Sequence, residues 1–142
     1  MVLNSIDIKD IGCGDGSITT TVIEKYVPES KTVIGCDINE NMIRFAEEHY
    51  STEKVQFKVL DIQGDLPDHL RGHFDHVFSF FTLHWVPQQE IAFKNIYDLL
   101  KEDGNCFAYL VGQHALYDGY RALAKVEKWR PWLSDLEKYV SP

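Results

Sequence analysis

Residues 10–16, Asp10-Ile11-Gly12-Cys13-Gly14-Asp15-Gly16, place a glycine at every second position. Such a run continues neither a strand nor a helix. It lets the backbone turn sharply and lets a ligand approach the main chain. Before it, Ile6, Ile8 and Ile11 have the spacing of a first strand, although Asp7, Lys9 and Asp10 make that strand polar for a central position. After it, Ile18, Val22, Ile23, Tyr26 and Val27 recur at helical spacing until Pro28. Thr32 to Cys36 then forms a second strand ending at Asp37, 21 residues beyond Gly16. Strand, glycine turn, helix and strand predict a βαβ unit. Its helix N-terminus offers free N–H groups to a ligand, and its acidic residue can accept ribose hydroxyls.

The alternation continues along the chain. Met42, Ile43, Phe45 and Ala46 lay an apolar stripe on the next helix. Val55, Phe57 and Val59 alternate with Gln56 and Lys58, predicting a strand with one wet face at or near a sheet edge and closing on Asp61. Phe74 to Phe81 is nearly continuous in apolar residues, as a central strand should be. Ala92, Phe93, Ile96, Leu99 and Leu100 mark a helix that Pro87 and Glu90 introduce and Gly104 ends. Asn105 to Val111 reads as a fifth strand and Tyr117 to Trp129 as a helix meeting Pro131. Ser134 with Glu137 has the spacing of a capping box for a last helix. The prediction is one α/β domain over residues 1–142. It is a three-layer Rossmann-like sheet of about five mainly parallel strands with helices on both faces.

Charge and cysteine usage narrow the function classes. The net charge is −8 without any Lys/Arg cluster, which disfavours nucleic acid, since neutralising phosphates needs a basic face. Cys13, Cys36 and Cys106 show no paired spacing, so neither a disulfide framework nor a metal site is expected. No apolar run approaches the roughly 20 residues of a membrane span, and the acidic first ten residues suit no secretory signal, so the cytoplasm is the expected location.

Spacing within the glycine turn separates cofactors. The dinucleotide pattern places its third glycine three residues after the second, where this chain has Ser17; the glycine here is Gly16. An NAD-dependent dehydrogenase is thereby disfavoured. The Asp-x-Gly-x-Gly-x-Gly run resembles the first motif of the class I S-adenosylmethionine-dependent methyltransferases, and the later segments follow that family's order. The resemblance implies S-adenosyl-L-methionine as cofactor, with the methionine moiety at the glycine turn and the ribose on Asp37. Asp61 and Ile62 resemble the adenine position, and Phe74 to Ser79 the fourth motif, whose end borders the cofactor. The cofactor contacts so implied are Asp10, Gly12, Cys13, Gly14, Gly16, Asp37, Ile38, Met42, Asp61, Ile62 and Ser79.

Ser79 to Val86, reading Ser-Phe-Phe-Thr-Leu-His-Trp-Val, is similar to the carboxyl methyltransferases of small hydrophobic acids, those of juvenile hormone acid or farnesoic acid above all. In that family the tryptophan matching Trp85 helps hold the substrate carboxylate, an indole N–H being a donor without a competing acceptor. His84 is a neighbouring substrate candidate; Gln113 and His114 are polar residues near strand ends where a substrate could lie, and they read first as ordinary surface or packing residues. A carboxylic acid is already ionised at neutral pH, so the implied reaction needs positioning and no catalytic base. Family members carry a helical segment before the glycine strand and a further antiparallel hairpin after the fifth strand, whereas nine residues precede Asp10 here. Both ends read as shortened. The alternative is therefore a truncated, inactive relative that only binds cofactor or a partner chain.

Overall fold

The computed structural model describes residues 6–27, 30–112 and 115–138. Five strands form one parallel sheet: β1 (Ile6–Ile11), β2 (Ser30–Asp37), β3 (Val55–Val59), β4 (Phe74–Phe80) and β5 (Leu100–Tyr109), in the order β3-β2-β1-β4-β5. A π-helix (Thr19–Glu24) follows β1, α1 (Glu40–Tyr50) follows β2, α2 (Gln89–Leu99) precedes β5, and α3 (Ala115–Ala124) follows it. One apolar cluster, with Ile8, Ile23, Val33, Ile43, Ala46 and Phe57, packs the π-helix and α1 on one face. Another, with Ile11, Cys36, Phe74, Val77, Ile96 and Leu99, packs α2 on the other. This is the three-layer arrangement expected from the alternation, with β3 at an edge and β4 inside. No helix among the described residues is long and apolar enough to cross a membrane.

The polar first strand is central after all, and its charged side chains find places there. Asp7 accepts from Thr32 Oγ1 at 2.7 Å and lies 3.6 Å from Lys101 Nζ, while Asp10 accepts from Thr19 Oγ1 at 2.6 Å. The buried strand thus holds its carboxylates by hydrogen bonds, which burial demands.

Local chemistry also moved several boundaries. The first helix takes a π register where Thr19, Thr20 and Thr21 follow one another. Thr20 Oγ1 donates to Gly16 O at 3.1 Å and Thr21 Oγ1 to Ser17 O at 2.6 Å, so hydroxyls compete for the carbonyls of the helical ladder. On α1 the stripe narrows to Ile43 and Ala46, while Met42 and Phe45 stay over 40% exposed and Phe45 stacks on His49 instead. β5 begins at Leu100, five residues earlier than Asn105. The chain leaves α2 extended, and Lys101 binds Asp75 at 2.7 Å beside a register shift opposite Phe74 and His76. Gly104 sits inside that irregular stretch, where a Cβ would lie 3.0 Å from Phe74 O. The helix expected to Trp129 ends at Ala124, and Pro131 opens a separate short turn, Arg130–Trp132. The last helix is a single 3-10 turn, Leu136–Lys138, and Glu137 accepts from Arg121 Nε at 3.2 Å, engaging across to α3. Pro28, Gln113 and His114 lie outside the described residues.

Candidate functional site

Strand order reverses between β1 and β4: β2 and β3 run outward on one side, β5 on the other. In open parallel sheets a ligand crevice forms at such a point, beyond the carboxyl ends of the strands. Those ends carry the glycine turn (Gly12–Gly16), Asp37, Asp61 and the segment after Phe80.

Main-chain bonds shape the turn. Gly12 and Cys13 donate to Cys36 O at 2.7 and 2.9 Å, and Gly16 donates to Cys13 O at 3.0 Å. Gly12, Gly14 and Gly16 have φ of 74°, 55° and 83°, the left-handed region that favours glycine. Their surroundings differ. A Cβ on Gly12 would lie 2.0 Å from Thr82 Oγ1, and one on Gly16 would lie 2.7 Å from the Phe57 ring. One on Gly14 would meet nothing within 4 Å. Gly12 thus joins β1 to the segment after β4, Gly16 lets the turn settle on β3, and Gly14 lies open.

Asp37 organises the next wall. Its Oδ2 accepts from Gly14 N at 3.0 Å and its Oδ1 from Asn39 N at 2.9 Å, so one carboxylate links the turn to the start of α1. Each oxygen keeps further acceptor capacity. Asp61 Oδ1 accepts from Gln63 N at 3.0 Å. The loop after β3 is held from below by the buried Asn95, which donates to Ile62 O and Gly64 O, both at 2.8 Å. Gln63 Oε1 in turn accepts from Gln88 N at 3.1 Å, joining two lips of the crevice.

A cleft of about 170 Å³ opens among these groups, lined by Ile11, Gly12, Asp37, Ile38, Leu60, Asp61, Ile62, Gln63, Thr82, Trp85, Val86 and Pro87. It brings together six of the residues singled out in the sequence: Gly12, Asp37, Ile38, Asp61, Ile62 and Trp85. Trp85 stands on a 3-10 turn (Leu83–Trp85) anchored by buried Leu83, is 49% exposed, and its indole N–H makes no hydrogen bond to a described residue. The chain reaches that turn through Phe81, a non-glycine residue at φ 56°, a strained conformation of the kind that collects at binding sites.

The other singled-out residues do not line the cleft. Cys13 is buried, and burial raises its thiol well above the ordinary value. Ser79 is buried and donates to Ile11 O at 3.0 Å, a bond between β4 and β1. Met42 lies exposed on α1. His84 is buried, its Nδ1 accepts from Val111 N at 3.4 Å, and desolvation lowers its pKa, so it serves as a neutral tie to the end of β5. Leu60, Gln63, Thr82, Val86 and Pro87 line the cleft without having been singled out. Thr82 and Val86 lie in the Ser79 to Val86 segment and Pro87 at the predicted helix start, whereas Leu60 and Gln63 carry no signal in the sequence.

Asp10 lies beneath the turn, and burial pushes its carboxyl up to about 6, the Thr19 hydrogen bond working against the rise. In the unfolded chain the same group releases its proton near pH 4. Between these values the folded state holds a proton that the unfolded state has lost. The Asp10 contribution to stability therefore falls as pH rises from about 4 to about 6, by roughly 3 kcal/mol, and is constant above. Asp10→Asn should remove that dependence. In urea unfolding, the stability gained by the variant relative to the native chain should grow from pH 4 to pH 7; an equal difference at both would contradict it.

The donor set can be tested against a ligand. Two carboxylates and an indole N–H border the cleft, and no lysine or arginine among the described residues lines it. Such a set suits ribose hydroxyls, an exocyclic amine and a zwitterion, and gives a diphosphate nothing to neutralise it. S-adenosylmethionine fits.

Comparison with known proteins agrees. The family model described as "Methyltransferase domain" matches residues 9–108. The chain is 44% identical over 134 residues to the juvenile hormone acid O-methyltransferase of Bombyx mori, covering 94% of this chain and 48% of that protein. It is 38% identical over 136 residues to the Drosophila melanogaster protein of the same name, covering 94% and 46%. It thus spans about half the length of these curated relatives. Among solved structures, the trans-methyltransferase CalH in complex with SAH superposes with a TM-score of 0.65 at 26% identity, over 73% of this chain and 31% of that one. The CurJ carbon methyltransferase gives 0.70 at 20% identity over 80% and 31%, a likeness of fold.

Proposed function

The chain belongs to the S-adenosylmethionine-dependent methyltransferases, and from that premise we propose that it transfers a methyl group to the carboxylate of a small hydrophobic acid, of the juvenile hormone acid or farnesoic acid type. One observation carries the reading: Gly12, Asp37, Asp61 and an indole donor, Trp85, border a single cleft at the switch point of the sheet. The curated relatives are named for the same class of acceptor.

Bound S-adenosylmethionine supplies a methyl group on a positively charged sulfur. The chain's part is to hold and orient. Asp37, which fixes the turn through Gly14 N–H, would accept hydrogen bonds from the ribose hydroxyls; Asp61 would accept from the adenine amine, and Ile62 would pack against the ring. Trp85 directs its free N–H at the acceptor carboxylate. That carboxylate is ionised at neutral pH, so no residue has to remove a proton, and holding oxygen, carbon and sulfur in line can contribute roughly 7–11 kcal/mol.

Calorimetric titration with S-adenosylmethionine, S-adenosylhomocysteine and NAD, followed by a methyl-transfer assay on farnesoic acid, tests the proposal. Binding of the first two ligands, none of NAD, and formation of the methyl ester are expected. Cofactor binding without ester would favour a chain that binds and does not turn over. Trp85→Phe keeps an aromatic ring and removes the donor. It should lower kcat/KM for the acid about 10- to 100-fold, the range of a hydrogen bond to a charged group, with S-adenosylhomocysteine affinity unchanged within about twofold. A parallel loss of cofactor affinity would remove Trp85 from the acceptor side.

A further inference from the structure

A second cavity, of about 390 Å³, lies under β2 and β3 and is lined by Lys9, Ile34, Gln56, Lys58, Val59, Leu60, Pro67, His69, Leu70 and His73. Its size falls in the range of small-molecule sites. Lys9 is only 1% exposed, on the central strand. Among the described residues no oxygen accepts a hydrogen bond from its ammonium; its contact is the Phe74 ring, 5.5 Å away. Asp10, its neighbour in sequence, projects to the opposite face of β1 and is taken by Thr19. Among the described residues every fully enclosed side-chain polar atom has a partner. The Lys9 nitrogen, which has none, is therefore not fully enclosed, and Lys9 lines this cavity.

Asp10 attracts Lys9 only through space, and a buried ammonium without a hydrogen-bonded counter-ion is costly, so an anion that supplies one gains a charge-assisted bond in a poorly solvated place. Among the described residues no carboxylate lines the cavity. Ile34, Leu60 and Leu70 form apolar walls, while His69 and His73 are exposed at its margin. Lys58, also exposed, is drawn to Glu47 at 3.8 Å. Only one positive charge, that of Lys9, is buried among the apolar walls, while Lys58, His69 and His73 stand exposed at the rim; this matches an anion with an apolar body better than a phosphate, which has none.

We propose that this cavity binds an amphiphilic carboxylate, its carboxylate on Lys9 and its hydrocarbon body against Ile34, Leu60 and Leu70. The site is separate from the acceptor position at Trp85 and does not depend on the proposed reaction. Leu60 lines both cavities, so an occupant would share a wall with the cofactor cleft.

Dodecanoate is the probe, titrated by calorimetry into the native chain and into Lys9→Met, Gln56→Glu and Trp85→Phe. Gln56 is exposed, so its variant keeps the fold and sets a negative charge at the cavity; circular dichroism checks Lys9→Met. Dodecanoate should bind the native chain and Trp85→Phe alike, and at least about tenfold more weakly to Lys9→Met and Gln56→Glu. Methyl dodecanoate should bind the native chain about tenfold more weakly than dodecanoate, and inorganic phosphate should give no heat. Absence of dodecanoate binding, or binding lost in Trp85→Phe and kept in both cavity variants, would overturn the proposal. The latter result would place the acid at the acceptor site and leave the proposed reaction standing. Equal binding of the ester, or stoichiometric phosphate, would overturn the assignment to a carboxylate.

Discussion

Gly12→Ala should destabilise the fold by about 2–5 kcal/mol and abolish measurable S-adenosylhomocysteine binding at micromolar protein. Two penalties combine. A residue with a Cβ at φ 74° costs about 1–2 kcal/mol, and overpacking typically adds about 1–3 kcal/mol. The overlap is severe, since the new Cβ would lie within 2.5 Å of three side-chain atoms of Thr82. Thr82 cannot retreat freely, because its Oγ1 donates to Gly12 O and Phe80 O, both at 3.1 Å. The strain therefore passes to the ends of β1 and β4, between which the cleft opens. Gly14→Ala is the control. Its φ of 55° carries the conformational penalty, but its Cβ would meet no neighbour, so the loss should stay near 1–2 kcal/mol. Urea unfolding of both variants decides the matter: a Gly12→Ala chain no less stable than Gly14→Ala would show that the contact with Thr82 is not what requires glycine there.

The parts of the fold legible in the sequence were those written in local patterns. Alternation in Val55 to Val59 marked an edge strand, the apolar run from Phe74 marked an internal one, and the glycines between strand and helix marked the switch region. The polar residues of β1 misled only about burial, because the partners that accommodate Asp7 and Asp10 are Thr32 and Thr19, a strand and a helix away. What local patterns do not encode is which face a side chain takes and which neighbour it meets. Ser79 and His84 stand in the right segment, yet Ser79 turns to Ile11 O and His84 to Val111 N. Thr82 and Gln63 enter the cleft because β4 lies beside β1 and because Gln63 ties to Gln88, and both are facts of topology. The early start of β5 has the same origin, in the ion pairs of Lys101 with Asp75 and Asp7.

Asp37→Ala should weaken S-adenosylhomocysteine binding by at least about 100-fold, the largest binding loss expected of any single side chain in the cleft. The carboxylate has two tasks that alanine removes together. It accepts Gly14 N–H and Asn39 N–H at 3.0 and 2.9 Å, fixing the open part of the turn and the entry to α1, and its remaining lone pairs are those offered to the ribose. Each charge-assisted bond lost is worth about 1.5–3 kcal/mol. Ribose contacts alone reach the stated loss, and the loosened turn adds to it. Asp37→Asn separates the tasks. An amide oxygen can keep one backbone N–H, whereas its NH₂ group confronts the other donor and offers a ribose hydroxyl no charge. Affinity should therefore fall in the order Asp, Asn, Ala. Stability in urea should fall by about 1–2 kcal/mol for Ala and less for Asn, by analogy with the loss of a helix cap. Calorimetry with S-adenosylhomocysteine reads the first series, and unchanged affinity in Asp37→Ala would sink the ribose assignment. If affinity and stability instead fell in fixed proportion, Asp37 would act on the cofactor only by holding the turn that Gly14 completes.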